Sequence, residues 1–227
     1  MSKLEKVMIL GCGSYNPLTY MHLRMFELAR DFLIKKGTYE IVGGIISPVN
    51  DRYETKKYLA PAKHRIEMIR LALMKTLFGR TSWLRLDEWE CRQDHWCRTL
   101  DVIRHHHQML NKDNNETIRL MLICGSDMFD SFNVPNLWHD NDIETIIQDY
   151  GLLVIVRDSS DPWKTLRNSS KSHLLLKYES NIHIIEQKVP NAVSSSYIRD
   201  AIAKNESIRY LTDDSIIEYI EDHKLYR

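Results

Sequence analysis

The stretch GCGSYNPLTYMHLRMFELA, residues 11–29, sets a glycine turn and the hydroxyl of Ser14 ahead of an amphipathic helix, with the imidazole of His22 where that helix begins. As a dinucleotide fingerprint it fails. Asn16 stands where the third glycine of G-x-G-x-x-G belongs, and the second strand, which runs out in SPVND, has no acidic residue at its tip to read a ribose. What the stretch does offer is a helix N-terminus capped by Thr19, where backbone N–H groups and the helix dipole attract anions. A protonated histidine is disfavoured at that end unless an anion sits with it. Donation from His22 to a phosphate is therefore the functional reading, against an ordinary buried or exposed histidine.

A second pattern lies near the other end. In NAVSSSYIRDAI, residues 191–202, the hydroxyls of Ser194, Ser195 and Ser196 precede a helix, and Arg199 follows Ser196 by three residues, on the same helical face. Hydroxyls and a guanidinium at a helix start suit phosphate, although a serine cap beside a surface arginine is common. The run RHHHQ, residues 104–108, invites a metal reading that helical geometry rejects. Adjacent positions point about 100° apart and cannot converge on one ion, so the run reads as a polar helix face.

The elements that must position these groups alternate along the chain. KVMILGC, EIVGGIISPV, SWLRLDEW, TIRLMLICG, GLLVIVR and NIHIIEQ read as strands. YMHLRMFELARDFLIKK, PAKHRIEMIRLALMKTLF with Pro61 at its first position, DHWCRTLDVIRHHHQML and a terminal DDSIIEYIEDH read as helices, and NKDNNE as a polar loop. This alternation predicts a doubly wound, Rossmann-like α/β fold: a mostly parallel sheet of about six strands, helices on both faces and a small C-terminal helical cap. One domain over residues 1–227 is expected, with about 190–227 as its helical subdomain.

Among the 227 residues, 31 Lys and Arg balance 31 Asp and Glu. No basic field exists to capture nucleic acid, so an anionic ligand needs a local cluster. The four cysteines show no metal-type pairing and read as reduced thiols, and no apolar run approaches membrane-spanning length. No secretion or transit signal is evident, so a soluble intracellular protein with no membrane or nucleic-acid partner is expected.

Taken together, GSYNPLTYMHLRMFELA, GIISPVND, WCRTLDVIRHH, CGSDMFDSF, VPNLW, SSSYIR and SIRYLTDDSIIEYIEDHKLY resemble, in order and over nearly the whole chain, the eukaryotic nicotinamide/nicotinate mononucleotide adenylyltransferases of the nucleotidylyltransferase superfamily. The resemblance implies that a mononucleotide phosphate attacks the α-phosphorus of ATP, releasing pyrophosphate and forming NAD or deamido-NAD. The attacking group is already anionic, so alignment and charge neutralisation suffice and no protein nucleophile is needed. It also implies that His22 and Arg199 act on the ATP phosphates with Gly13, Ser14, Tyr15, Arg157, Ser195 and Ser196. Gly125, Asp127 and Asn191 would hold the adenosine. Trp96 and Trp138 would stack on the pyridinium, Thr99 (three residues beyond Trp96 on one helix face) and the Leu137 backbone would read its substituent, and Tyr53 with Lys56 or Lys57 would meet the mononucleotide. Mg2+ would be carried by substrate phosphates and water, with no protein metal site.

Relative to the family pattern, Tyr15 replaces Phe and Ser196 replaces Thr, and both keep the needed shape or hydroxyl. The segment from Asn111 to Glu116 lacks the long basic insertion of nuclear relatives, so a cytoplasmic location is expected, and a homo-oligomer is compatible with the family. Two alternatives stay open: an adenylyltransferase for another phosphorylated substrate, such as phosphopantetheine, and a nucleotide-binding, chaperone-like or scaffolding protein.

Overall fold

The computed structural model describes residues 3–53, 58–75, 83–112, 116–157 and 160–227. Six strands, β1 (Glu5–Gly13), β2 (Tyr39–Pro48), β3 (Leu84–Leu86), β4 (Arg119–Gly125), β5 (Leu152–Ile155) and β6 (Ile182–Ile185), form a sheet in the order β3-β2-β1-β4-β5-β6. β2 pairs with β3, β1 with β4, β4 with β5, and β5 with β6, all in parallel. The helices around it are α1 (Tyr20–Lys36), α2 (Ala62–Lys75), α3 (Thr99–Asn111), α4 (Ser126–Asp130), α5 (Asp140–Thr145), α6 (Pro162–Asn168), α7 (Ser172–Lys177), α8 (Ser195–Ala203) and α9 (Asp214–Asp222). This is the expected α/β Rossmann-like class. Among the described residues no helix is long and apolar enough to cross a membrane.

The chain divides into two compact units. The first comprises Met1–Gly11, Met25–Gly43 and Arg98–Ala192; the second comprises Cys12–Arg24, Gly44–Cys97 and Val193–Arg227. In the first, all four residues of β5 are fully buried, and Leu122 faces Leu152, which faces Ile182. Unbroken apolar runs of this kind are what a parallel sheet covered on both sides requires. Entry to β5 needs a glycine. Gly151 has φ +100°, and a Cβ there would stand 3.0 Å from Met121 Cε and 3.3 Å from the Asn181 carbonyl. In the second unit α9 packs against α2, burying Ile216 and Ile220, and its Asp213 cap accepts from the Ser215 N–H.

Several expectations need correction. β3 is only three residues long, and Pro61 precedes α2 rather than opening it. The helix expected from Asp94 starts at Thr99. In place of the first turn, the Asn50 amide donates to the carbonyl of Gln93 at 2.7 Å, the group that a helical Cys97 N–H would meet. Trp96 is therefore not helical, and the shared-face argument linking it to Thr99 falls. Within RHHHQ, His106 is buried rather than part of a polar face; it lines up with Val102 one turn earlier.

Inside the first unit His183 on β6 is 5 % exposed, held against the Phe32 and Tyr39 rings, with Lys36 Nζ 3.4 Å from Nδ1 and no hydrogen-bond partner at Nε2. Burial, then the charges of Lys36 and Arg119, lowers its pKa to about 4. The unfolded chain binds the proton first, so the stability that depends on a neutral ring is complete above the ordinary value of 6.5 and is lost as pH falls towards 4. Replacing His183 with Phe should flatten this part of the acid limb. In urea melts between pH 7 and pH 4, wild type should lose about 2 kcal/mol more than the variant; parallel pH profiles would refute the assignment.

Candidate active site

The second unit carries the end of β1, the turn after it and the start of α1. Thr19 Oγ1 accepts from the His22 N–H at 3.3 Å, while His22 Nδ1 accepts from the Thr19 N–H at 3.0 Å. This is a reciprocal capping box with histidine in the place usually taken by Glu or Gln. The bond makes Nδ1 an acceptor, so the neutral ring carries its proton on Nε2. Tyr15, at φ 44° and 4 % exposed, sets its ring edge-on to His22 with centroids 5.1 Å apart. That ring also crowds Gly13, where a Cβ would lie 3.3 Å from it.

The serine motif lands on the same turn. Ser194 caps α8 by accepting from the Tyr197 N–H. Ser195 Oγ donates to the Pro17 carbonyl at 2.8 Å, and Arg199 donates to the Asn16 carbonyl at 2.8 Å and to Ser196 Oγ at 3.1 Å. Thr212 Oγ1 donates to the Leu18 carbonyl at 2.7 Å. The structure thus brings Gly13, Ser14, Tyr15, His22, Ser195, Ser196 and Arg199 together. In this unit Trp96 is 45 % exposed and pairs with the Tyr53 ring at 6.1 Å. Lys56 and Lys57 lie outside the described residues.

The first unit holds the rest. β4 ends at Gly125, which packs beside Asp127 and Arg157; a Cβ on Gly125 would lie 2.4 Å from Asp127 Oδ1 and 3.4 Å from Arg157 Cδ. Ser126 Oγ accepts from the Arg157 N–H at 3.1 Å, which fixes the backbone two residues past the end of β5. Trp138 donates from Nε1 to Ser131 Oγ at 3.0 Å and meets Phe132 edge-on. Leu137 is exposed, its N–H bonded to the Val134 carbonyl. Thr99 opens α3, and Asn191 lies in the segment ahead of α8.

Three residues escaped the sequence reading. Asn16, taken only as a missing glycine, is 1 % exposed; its side chain donates to the Tyr58 carbonyl and accepts from the Ala60 N–H and the Tyr226 hydroxyl. Arg65 on α2 is fully buried. Glu90 is 2 % exposed and accepts from Ser47 Oγ at 2.7 Å. Burial pushes its pKa up to about 7, against the opposing pull of that hydrogen bond and of Arg65. Burial likewise raises the Cys12 thiol and the Tyr15 phenol well above their ordinary values, keeping both neutral.

Residues 10–201 match the cytidylyltransferase-like family. The nicotinamide/nicotinic acid mononucleotide adenylyltransferase 1 of Bos taurus is 37 % identical over 99 % of this chain and 90 % of its own length. The chain belongs to the mononucleotide adenylyltransferase family. Other members include the Arabidopsis thaliana enzyme, 40 % identical over 97 % of this chain and 90 % of its own length. A Drosophila melanogaster nicotinamide-nucleotide adenylyltransferase is 39 % identical over 99 % of this chain, which spans 62 % of that relative. The fold is shared with the Plasmodium falciparum nicotinic acid mononucleotide adenylyltransferase solved with NaAD, at a TM-score of 0.70 and 19 % identity over 98 % of both chains. Among the described residues of this adenylyltransferase, no three His, Cys, Asp or Glu side chains gather to hold a metal ion.

Glu90 yields a pH prediction. Because its folded-state value lies above the ordinary 4.5, its contribution is complete below 4.5 and is lost as pH rises through about 7. Glu90→Gln keeps the acceptor for Ser47 and never ionises. It should be more stable than wild type at pH 8, by on the order of 2 kcal/mol, with no such advantage at pH 5. Chemical melts at the two pH values check this, and an equal difference at both would overturn it.

Proposed function

We propose that the chain transfers the adenylyl group of ATP to nicotinamide mononucleotide and to nicotinate mononucleotide. A phosphate oxygen of the mononucleotide attacks the α-phosphorus, the bond from that phosphorus to the bridging oxygen breaks, and the electron pair leaves with pyrophosphate, giving NAD or its deamido form. The observation that carries the reading is the joining of two motifs on one turn: Ser195 and Arg199 bond to the carbonyls of Pro17 and Asn16, just ahead of the helix start that bears His22.

In this reading His22 donates from Nε2 to a phosphate oxygen, a role its capping bond at Nδ1 prepares. Arg199 neutralises the β/γ end of the triphosphate beside Ser195 and Ser196, and Arg157 adds a second guanidinium. The backbone at Gly13, Ser14 and Tyr15 approaches the phosphates, while Gly125, Asp127 and Asn191 take the adenosine. Trp96 and Trp138 offer aromatic faces to the pyridinium. Thr99 and the Leu137 backbone face its amide or carboxylate, and Tyr53 with Lys56 or Lys57 takes the mononucleotide. Mg2+ arrives as part of the MgATP substrate, coordinated by phosphate oxygens and water. The bovine and Arabidopsis relatives are named for both pyridine mononucleotides, which supports acceptance of both.

Pyrophosphate release from MgATP with each mononucleotide, and with phosphopantetheine as a third acceptor, tests this. Turnover is expected with both pyridine nucleotides and not with phosphopantetheine, and it should fall about 100-fold or more in a folded His22→Ala protein. Pyrophosphate release with phosphopantetheine alone would assign another acceptor. Binding of ATP with no turnover would overturn the enzymatic reading in favour of a contact role.

A further inference from the structure

Arg65 is the largest fully buried side chain of the protein's described residues, and nothing in its sequence context marks it. Its Nε donates to the Ala60 carbonyl at 2.7 Å, Nη1 to the Ser14 carbonyl at 3.1 Å, and Nη2 to the Val49 carbonyl at 2.8 Å and Asp51 Oδ1 at 2.7 Å. One planar guanidinium thereby ties together the turn after β1, the chain leaving β2 and the loop ahead of α2. Asp51, its carboxylate partner among the described residues, is 51 % exposed, so much of the compensation for the buried charge comes from carbonyl dipoles. Filling the space would take only an apolar side chain. Recruiting a charge to grip three carbonyls calls for a further explanation.

The orientation of the peptides supplies one. The Val49 N–H donates to the Gly13 carbonyl at 2.9 Å, so the carbonyls on either side of Ser14 are both held, one by the chain leaving β2 and one by Arg65 of α2. The two peptides flanking Ser14 are trans. In a trans peptide the N–H points opposite to the C=O. Fixing the Gly13 and Ser14 carbonyls therefore turns the N–H groups of Ser14 and Tyr15 the other way, and successive N–H groups in such a turn form an anion-binding concavity. A guanidinium on a carbonyl also polarises that peptide and strengthens its N–H as a donor.

We propose that Arg65 is a positioning residue for the ATP triphosphate: by gripping the Ser14 carbonyl from within, it aims and polarises the Ser14–Tyr15 segment towards the phosphates without touching substrate. This rests on the adenylyl-transfer reading. Arg65 acts on ground-state phosphate binding, so its loss appears in the ATP constant rather than in the mononucleotide constant.

Arg65→Lys keeps a charge but cannot span four acceptors. It is compared with Ile216→Ala, a core variant on α9, both assayed well below their melting temperatures. For Arg65→Lys the KM for MgATP should rise about tenfold, with the mononucleotide KM within about twofold of wild type, while Ile216→Ala changes neither. Methylguanidinium added to Arg65→Ala should lower its KM for MgATP again. In the wild-type protein, MgATP should slow amide exchange at Ser14 and Tyr15, a measurement that stands even if every Arg65 variant fails to fold. Unchanged exchange at both amides, or an Arg65→Lys protein as stable as Ile216→Ala with a wild-type KM for MgATP, would overturn the role of Arg65 while leaving adenylyl transfer intact. A wild-type protein that neither binds MgATP nor turns it over would remove both.

Discussion

An irregular turn packed in a dry interior must hand its carbonyl oxygens to donors elsewhere, because an unpaired buried carbonyl is costly. The segment following β1 meets this constraint one residue at a time. The carbonyl of Gly13 takes the Val49 N–H, that of Ser14 takes Arg65, that of Asn16 takes Arg199, that of Pro17 takes Ser195 and that of Leu18 takes Thr212. Five donors from distant parts of the sequence converge on six consecutive positions. The second unit is in effect assembled from the elements that supply them: the chain after β2, α2, α8 and the segment ahead of α9.

This arrangement also accounts for the electrostatics. The chain has no net charge with which to draw in a nucleotide, so the proposed reaction needs an attraction built locally from oriented dipoles and a few cations. Burial holds Cys12 and Tyr15 protonated near the turn and raises Glu90 to about 7, so that its carboxyl is neutral below that pH. Ser47 and Asn50, both buried, hold the Glu90 segment in place through its carboxyl and its backbone.

Much of the fold was legible because its signals are local. The apolar runs of β1, β2 and β4 to β6, the full span of α1 and the serine cap of α8 follow from periodicity and capping chemistry that a short window contains. The pairing of Thr19 with His22 and of Ser196 with Arg199 was likewise carried by spacing. What stayed hidden depends on partners far away in sequence. Arg65 looks like any helical arginine until Ser14, 51 positions earlier, is placed beside it. Trp96 was read as helical because nothing nearby reveals that Asn50 takes the Gln93 carbonyl. Asn16 did leave a trace, as the polar residue in a glycine's place, but its three side-chain partners sit between 42 and 210 positions away.

That separation has a consequence for synthesis. The Pro17 carbonyl waits for Ser195, 178 residues later, and the Leu18 carbonyl for Thr212. A nascent chain that has exposed β1 and α1 outside the ribosome therefore still lacks the donors that shape its first turn. Contacts of such long range form late. The first turn to be made is thus among the later ones to be satisfied, since its Pro17 and Leu18 carbonyls gain their donors only once residues 195–212 have been synthesised.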